Sequence, residues 1–275
     1  MTPGLARRAG GVAGAAVLIG ALTVLARVAG FGRTFVFSQT VTTSCLSQAY
    51  FLANQIPNVI FEIVAGGALA GMIVPVLAGP VERGERGEVR RIAAAMLTWA
   101  VLVLLPLSVL LAVTAGPVMD LLVHGRAGGC DAGDVARAGA SMLVVFSPQI
   151  LLYGLAVVLY GILQAHRRFT GPALAPLVSS LLVIGAYLAY VPLGTGRPND
   201  LRELPKAAEL MLSAGTVAGV AGLVATAAVA VRPLRLRLRP TLRFPPGVAV
   251  RVRRLALAGV ATVAAQQLAT LCVMV

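Results

Sequence analysis

The 275 residues are 58% hydrophobic and 12% charged, with a mean hydropathy of +0.89 and about half the charge of a soluble domain. The apolar runs are long and continuous rather than alternating, which excludes a soluble globular fold and a membrane barrel and leaves an all-α integral membrane protein. The formal net charge of +13 rests on 23 basic residues, only one of them a lysine, Lys206. With no nucleic-acid-binding module visible, that charge is read as a topology signal and nucleic acid is not an expected partner.

Taken in chain order, Arg7 and Arg8 precede an apolar run much as in a signal peptide. No small-x-small cleavage site follows, and the run continues past Arg27, so an uncleaved first helix over about 11–37 is expected. Gly30 and Gly32 flank Phe31 and weaken the helix there. Arg27 and Arg33 are six positions apart, roughly 600° around a helix, so only a bend at these glycines turns both toward one cavity. Polar residues 38–48 form the first outer connection. Helix 2 is expected over about 49–79. Pro57 frees a backbone carbonyl near Ala53 and Asn54, and Gly67 and Gly71 form a G-x-x-x-G pair for close helix contact. Helix 3 is expected over about 92–118, with Trp99 as an anchor near one end and a kink at Pro106. Helices 4, 5 and 6 are expected over about 138–164, 172–193 and 208–231. A basic segment, 232–254, separates them from helix 7, which begins near Leu255.

Placing the N-terminus in the cytoplasm puts sixteen basic residues in inner segments and five in outer ones, with Arg27 and Arg33 left within a span. That imbalance favours the N-in arrangement. Within 232–254, RPLRLRLRPTLRFPPG alternates Arg and Leu. It reads either as a plain inner loop that sets topology, the preferred reading, or as a segment lying on anionic lipid headgroups.

Cys45 and Cys130 both fall in loops assigned outside. A disulfide between them is one option; two unpaired thiols is the preferred reading. Their spacing, with Cys272, suggests no metal site.

No Walker A sequence, H-E-x-x-H or aspartate-rich pair is present, so no enzyme activity, cofactor or metal is expected. The candidate site is instead the polar content of the first two helices. Charged groups cost roughly 2.5–3.5 kcal/mol at a helix centre on insertion scales and are kept where they face a cavity or a partner. Arg27 and Arg33 suit paired capture of phosphate oxygens, or they snorkel and pair with carbonyls. Glu62 either pairs with one of them, carries a proton, or caps a kink below Pro57. Asn54, Gln55 and Asn58 either line the cavity or satisfy freed backbone groups. His124 and His166 read as lone loop histidines.

ARVAGFGR in helix 1, QAYFLANQIPNVIFEIVAGGALAGMIVPVL in helix 2 and GILQAHRRFTGPALAPLVSSLLVIGAY at the junction of helices 4 and 5 resemble the MviN/MurJ lipid II flippase family. The version seen here is similar to actinobacterial members. The resemblance spans nearly all of 1–275. It implies the multidrug/oligosaccharidyl-lipid/polysaccharide exporter fold, with residues 1–231 as an N-terminal six-helix lobe, 232–254 as a cytoplasmic linker and 255–275 opening a second, missing lobe. It implies movement of undecaprenyl-pyrophosphate-linked peptidoglycan precursor across the cell membrane by alternating access, with Arg27 and Arg33 at the pyrophosphate site. Implied partners are that lipid-linked precursor, membrane lipids, the missing C-terminal lobe or a second chain, and cell-wall synthesis proteins. The departures are Gln48, where the family has an aspartate, Phe61 and Glu62, where better-known members have a basic pair, and Gly66, where a glutamate is usual. They point to an anion site weaker than the family's or differently arranged. Two other functions stay open: a non-transporting scaffold in cell-wall assembly, and a cation- or proton-coupled drug exporter of the same superfamily that uses Glu62.

Overall fold

Apolar runs rich in Ala and Gly fold into helices, and no strand occurs among the described residues. The computed structural model describes residues 3–41, 44–62, 70–123, 129–194, 201–202, 204–236, 238–245 and 247–274. The helices are α1 (Pro3–Thr40), α2 (Cys45–Phe61), α3 (Ala70–Glu82), α4 (Arg86–Val113), α5 (Ala115–Val123), α6 (Ala132–Phe146), α7 (Gln149–Ala165), α8 (Thr170–Tyr190), α9 (Lys206–Val231) and α10 (Val248–Met274). Five helical stretches among the described residues are long and apolar enough to cross a membrane, and the chain is a multi-pass membrane protein.

Helix α1 stays helical through Gly30 and Gly32, and nothing lies within 4 Å of a side chain built at either position. An interior glycine costs only about 1 kcal/mol relative to alanine, too little to interrupt so long a helix. Helix α2 begins on a capping box: Ser47 N–H donates to Ser44 Oγ at 3.3 Å, and Ser44 N–H donates to Ser47 Oγ at 3.0 Å. Pro57 is buried inside α2. Residues 63–69, with Gly66 and Gly67, lie outside the described residues, as does His124. Gly71 meets no neighbour within 4 Å, so it marks no close helix contact among the described residues.

The interruptions fall where the sequence did not place them. Pro106 is absorbed inside α4, and the break comes at Thr114. A second break at Ser147–Pro148 divides α6 from α7, and Ser108 Oγ of α4 donates to the Ser147 carbonyl at 2.7 Å. Helix α7 ends in a Schellman turn, with Arg168 N–H bonded to the Leu163 carbonyl and Arg167 N–H to the Gln164 carbonyl, both at 2.8 Å. Arg167 takes the left-handed position, φ 58°, that glycine usually fills. His166 closes the same helix, its Nδ1 lying 2.8 Å from the Ile162 carbonyl.

Small residues set the tightest packing. Where α8 crosses α9, a Cβ on Gly215 would overlap Ala186, and one on Gly219 would overlap Val183 and meet the Ser179 carbonyl at 3.2 Å. Helices in lipid associate through such close approach, because lipid tails are as apolar as leucine. Helix α7 packs on α3, α4 and α9, while α1 leans on α8.

Cys45 and Cys130 form a disulfide, correcting the preference for unpaired thiols. Cys45 opens α2, Cys130 precedes α6, and these two helices pack along each other, so helix packing brings together cysteines 85 residues apart. Beside the bridge, Asp131 caps α6, and Asp134 is held by Arg202 at 2.7 Å and Arg137 at 3.0 Å. The turn between α3 and α4 has a different chemistry. Arg83 donates twice to Glu85, at 2.8 and 3.0 Å. Those bonds pull the Glu85 carboxyl down to about 2, so the pair stays ionised at physiological pH.

Candidate functional site

Five helices enclose a polar cavity of about 170 Å³. Helix α1 contributes Arg33 and Thr34, α2 contributes Tyr50, Asn54 and Asn58, and α7 contributes Tyr153; Ser179 and Tyr187 of α8 and Thr216 of α9 complete the polar wall. Aromatic packing holds its frame. Phe37 lies with its ring centroid 5.0 Å from Tyr50 and 5.1 Å from Tyr187, and Tyr50 meets Phe146 edge-on at 5.6 Å.

The hydroxyls on the floor form a directed chain. Thr216 Oγ1 donates to the Leu212 carbonyl at 2.8 Å. A hydroxyl has one hydrogen, so Thr216 accepts from Tyr50 at 2.7 Å, and Tyr50 accepts from Tyr187 at 2.8 Å. All three hydrogens are committed, so these three hydroxyls offer a ligand only lone pairs. Fully buried Gln149 reaches Asn54 Oδ1 through its Nε2 at 3.4 Å, which turns the Asn54 amide N–H₂ away from that contact. The donors facing the cavity are the Arg33 guanidinium, the amides of Asn54 and Asn58, and the hydroxyls of Tyr153 and Ser179. Arg33 also acts electrostatically on Tyr50, Tyr153 and Tyr187. One cation, two amide donors and no carboxylate lining the cavity form a set that suits an anion.

Among the residues singled out from sequence, Arg33, Asn54 and Asn58 meet at this cavity, and Arg27, Gln48 and Glu62 are not among its lining. Arg27 is exposed on α1, six positions before Arg33, and lies outside the lining. Gln48 sits in the first turn of α2, and its N–H donates to the Ser44 carbonyl at 3.2 Å. Glu62 is exposed and caps the C-terminus of α2, with its N–H on the Asn58 and Val59 carbonyls. Phe61 packs its ring 4.6 Å from that of Tyr153 and so backs the cavity wall. Tyr50, Tyr153, Tyr187 and Thr216 escaped the sequence reading. Their only signal is a polar tip inside an apolar span, and what joins them is contact across 137 and 166 residues.

Comparison with known proteins places this architecture. A family model described as "Lipid II flippase MurJ" matches residues 37–275. A probable lipid II flippase MurJ of Synechocystis is 28% identical over 243 residues, covering 86% of this chain and 43% of that protein. The lipid II flippase MurJ of Burkholderia cenocepacia is 26% identical over 182 residues, covering 65% of this chain and 34% of its own length. A solved structure of a lipid II flippase MurJ in an inward closed conformation shares the fold, with a TM-score of 0.64 at 19% identity over 90% of this chain and 47% of the other. The chain thus spans less than half the length of these relatives. The match over residues 37–275 makes this chain a member of the lipid II flippase MurJ family.

Proposed function

We propose that the chain forms the N-terminal lobe of a lipid II flippase and that its Arg33 cavity contacts the pyrophosphate of the lipid-linked precursor. The observation that carries this reading is the donor set: a guanidinium and two amides in a lining with no carboxylate, beside Tyr187, Tyr50 and Thr216, whose hydroxyl hydrogens are committed. A diphosphate offers only acceptors, and a guanidinium binds such oxygens in pairs. Arg27 takes part at the rim rather than in the cavity, and Glu62 and Gln48 flank the site along α2. A second lobe, on the same chain or on another, covers the exposed apolar face of α1, no part of whose most apolar window is buried. Alternating access about such a site needs two halves.

The N-terminus lies in the cytoplasm on this reading. The basic residues favour that side, and the Cys45–Cys130 bridge sits at the opposite end of α2 and α6, where an oxidising exterior would let it persist.

The test places substitutions in a full-length protein and asks for rescue of a cell depleted of its own flippase. Arg33→Ala is expected to abolish rescue, Arg33→Lys to retain part of it, and Asn54→Leu to weaken it. Undiminished rescue by Arg33→Ala would reject the pyrophosphate role.

A further inference from the structure

Residues 238–245 run as a non-helical strap against α4 and share no lining residue with the Arg33 cavity. Two hydrogen bonds hook the strap on. Trp99 Nε1–H donates to the Leu242 carbonyl at 3.2 Å, and Thr241 N–H donates to Thr98 Oγ1 at 3.1 Å. Leu236 and Leu238 pack against the core while Arg235 and Arg239 are exposed.

The strap leaves a deep apolar cleft on each side of its hooks. One, of about 450 Å³, lies between Leu97, Leu102 and Leu105 of α4 and Leu238, with Arg239 at its edge. The other, of about 630 Å³, lies between Trp99 and Val103 of α4, Phe244 of the strap and Val252 of α10, with Arg253 at its edge. The charge around them is one-sided. Arg235, Arg239, Arg243, Arg251, Arg253 and Arg254 are all exposed, and none is within ion-pair distance of a carboxylate among the described residues. The carboxylates at this end of the bundle are already engaged, Glu85 and Glu88 by Arg83 and Glu82 by Arg167.

The geometry points to a site for an anionic phospholipid, with an acyl chain in the clefts beside the strap and its phosphate on Arg239, Arg243 and Arg253. The apolar lining selects a lipid over a free phosphate, and the unneutralised guanidiniums of Arg239, Arg243 and Arg253 select an anionic headgroup over a zwitterionic one. Each arginine at the headgroup plane is worth about a fivefold preference for the anionic lipid.

Trp99 is the single tryptophan of the chain and is 41% exposed at the cleft, so it reports occupancy directly. The 275-residue chain is placed in phosphatidylcholine vesicles, and Trp99 quenching is compared for brominated phosphatidylglycerol and brominated phosphatidylcholine, each added as a minor fraction. At equal fractions the anionic lipid is expected to quench at least about fivefold more effectively. In the variant R239A/R243A/R253A the two lipids should quench alike, and R239K/R243K/R253K should keep the excess. Persistence of the Cys45–Cys130 bridge on a non-reducing gel checks that each variant folds. Equal quenching by the two lipids in the unmodified chain would overturn the proposal, as would an excess that survives the alanine variant. Absence of quenching by either lipid, the result if protein covers the cleft, would overturn it as well.

Discussion

Tyr50 carries more of the cavity's order than any other single side chain there. Its hydroxyl accepts from Tyr187 and donates to Thr216, and its ring is packed by Phe37 and Phe146. Tyr50→Phe removes both hydrogen bonds and leaves the Tyr187 hydrogen unspent, so a loss of about 1–2 kcal/mol is expected. Tyr187→Phe removes one bond and should cost about half as much. Thermal unfolding in detergent reads the order of the two, and equal losses would contradict the central place of Tyr50 in the hydroxyl chain. At this scale the sequence was only partly legible. Arg33, Asn54 and Asn58 announce themselves as polar groups close together near the N-terminus, where local spacing suffices. Tyr187 and Thr216 do not, because a tyrosine in an apolar helix reads equally as core or interface until its distant partner is known.

At the scale of elements, the α8–α9 crossing is a close, glycine-dependent contact. Gly219→Val would drive a branched side chain into Val183 and the Ser179 backbone, and overpacking of this kind costs about 1–3 kcal/mol. Gly185→Val on α8 meets nothing within 4 Å and should change the melting temperature little. The pair, measured side by side, separates helix crossing from helix propensity. Helix existence was readable from the length of each apolar run; helix interruptions were not. Pro106, read as a kink, lies inside α4, while the breaks at Thr114 and Ser147 had no signal in the sequence. A break needs a neighbour to receive the freed carbonyl, as Ser108 does for Ser147, and that neighbour is a tertiary fact. The same reason hid the disulfide, since no local spacing reveals that the starts of α2 and α6 meet.

On the scale of the whole molecule, the bridge also tests sidedness. In a Cys272→Ser background, Cys45 and Cys130 should resist maleimide in intact cells and become labelled after a membrane-impermeant reductant is added. Labelling without reductant would show that the bridge is absent in cells, and no labelling after it would place these ends inside. The bridge has a mechanical consequence as well. Helix α2 bears Asn54 and Asn58, and α6 runs on into α7, which bears Gln149 and Tyr153. Pinned together at one tip by sulfur, α2 and α6 part as the legs of a compass do, with the break at Ser147–Pro148 as a second joint before α7. Any widening that admits a bulky headgroup between them must therefore begin at their unpinned ends and close back toward the pivot.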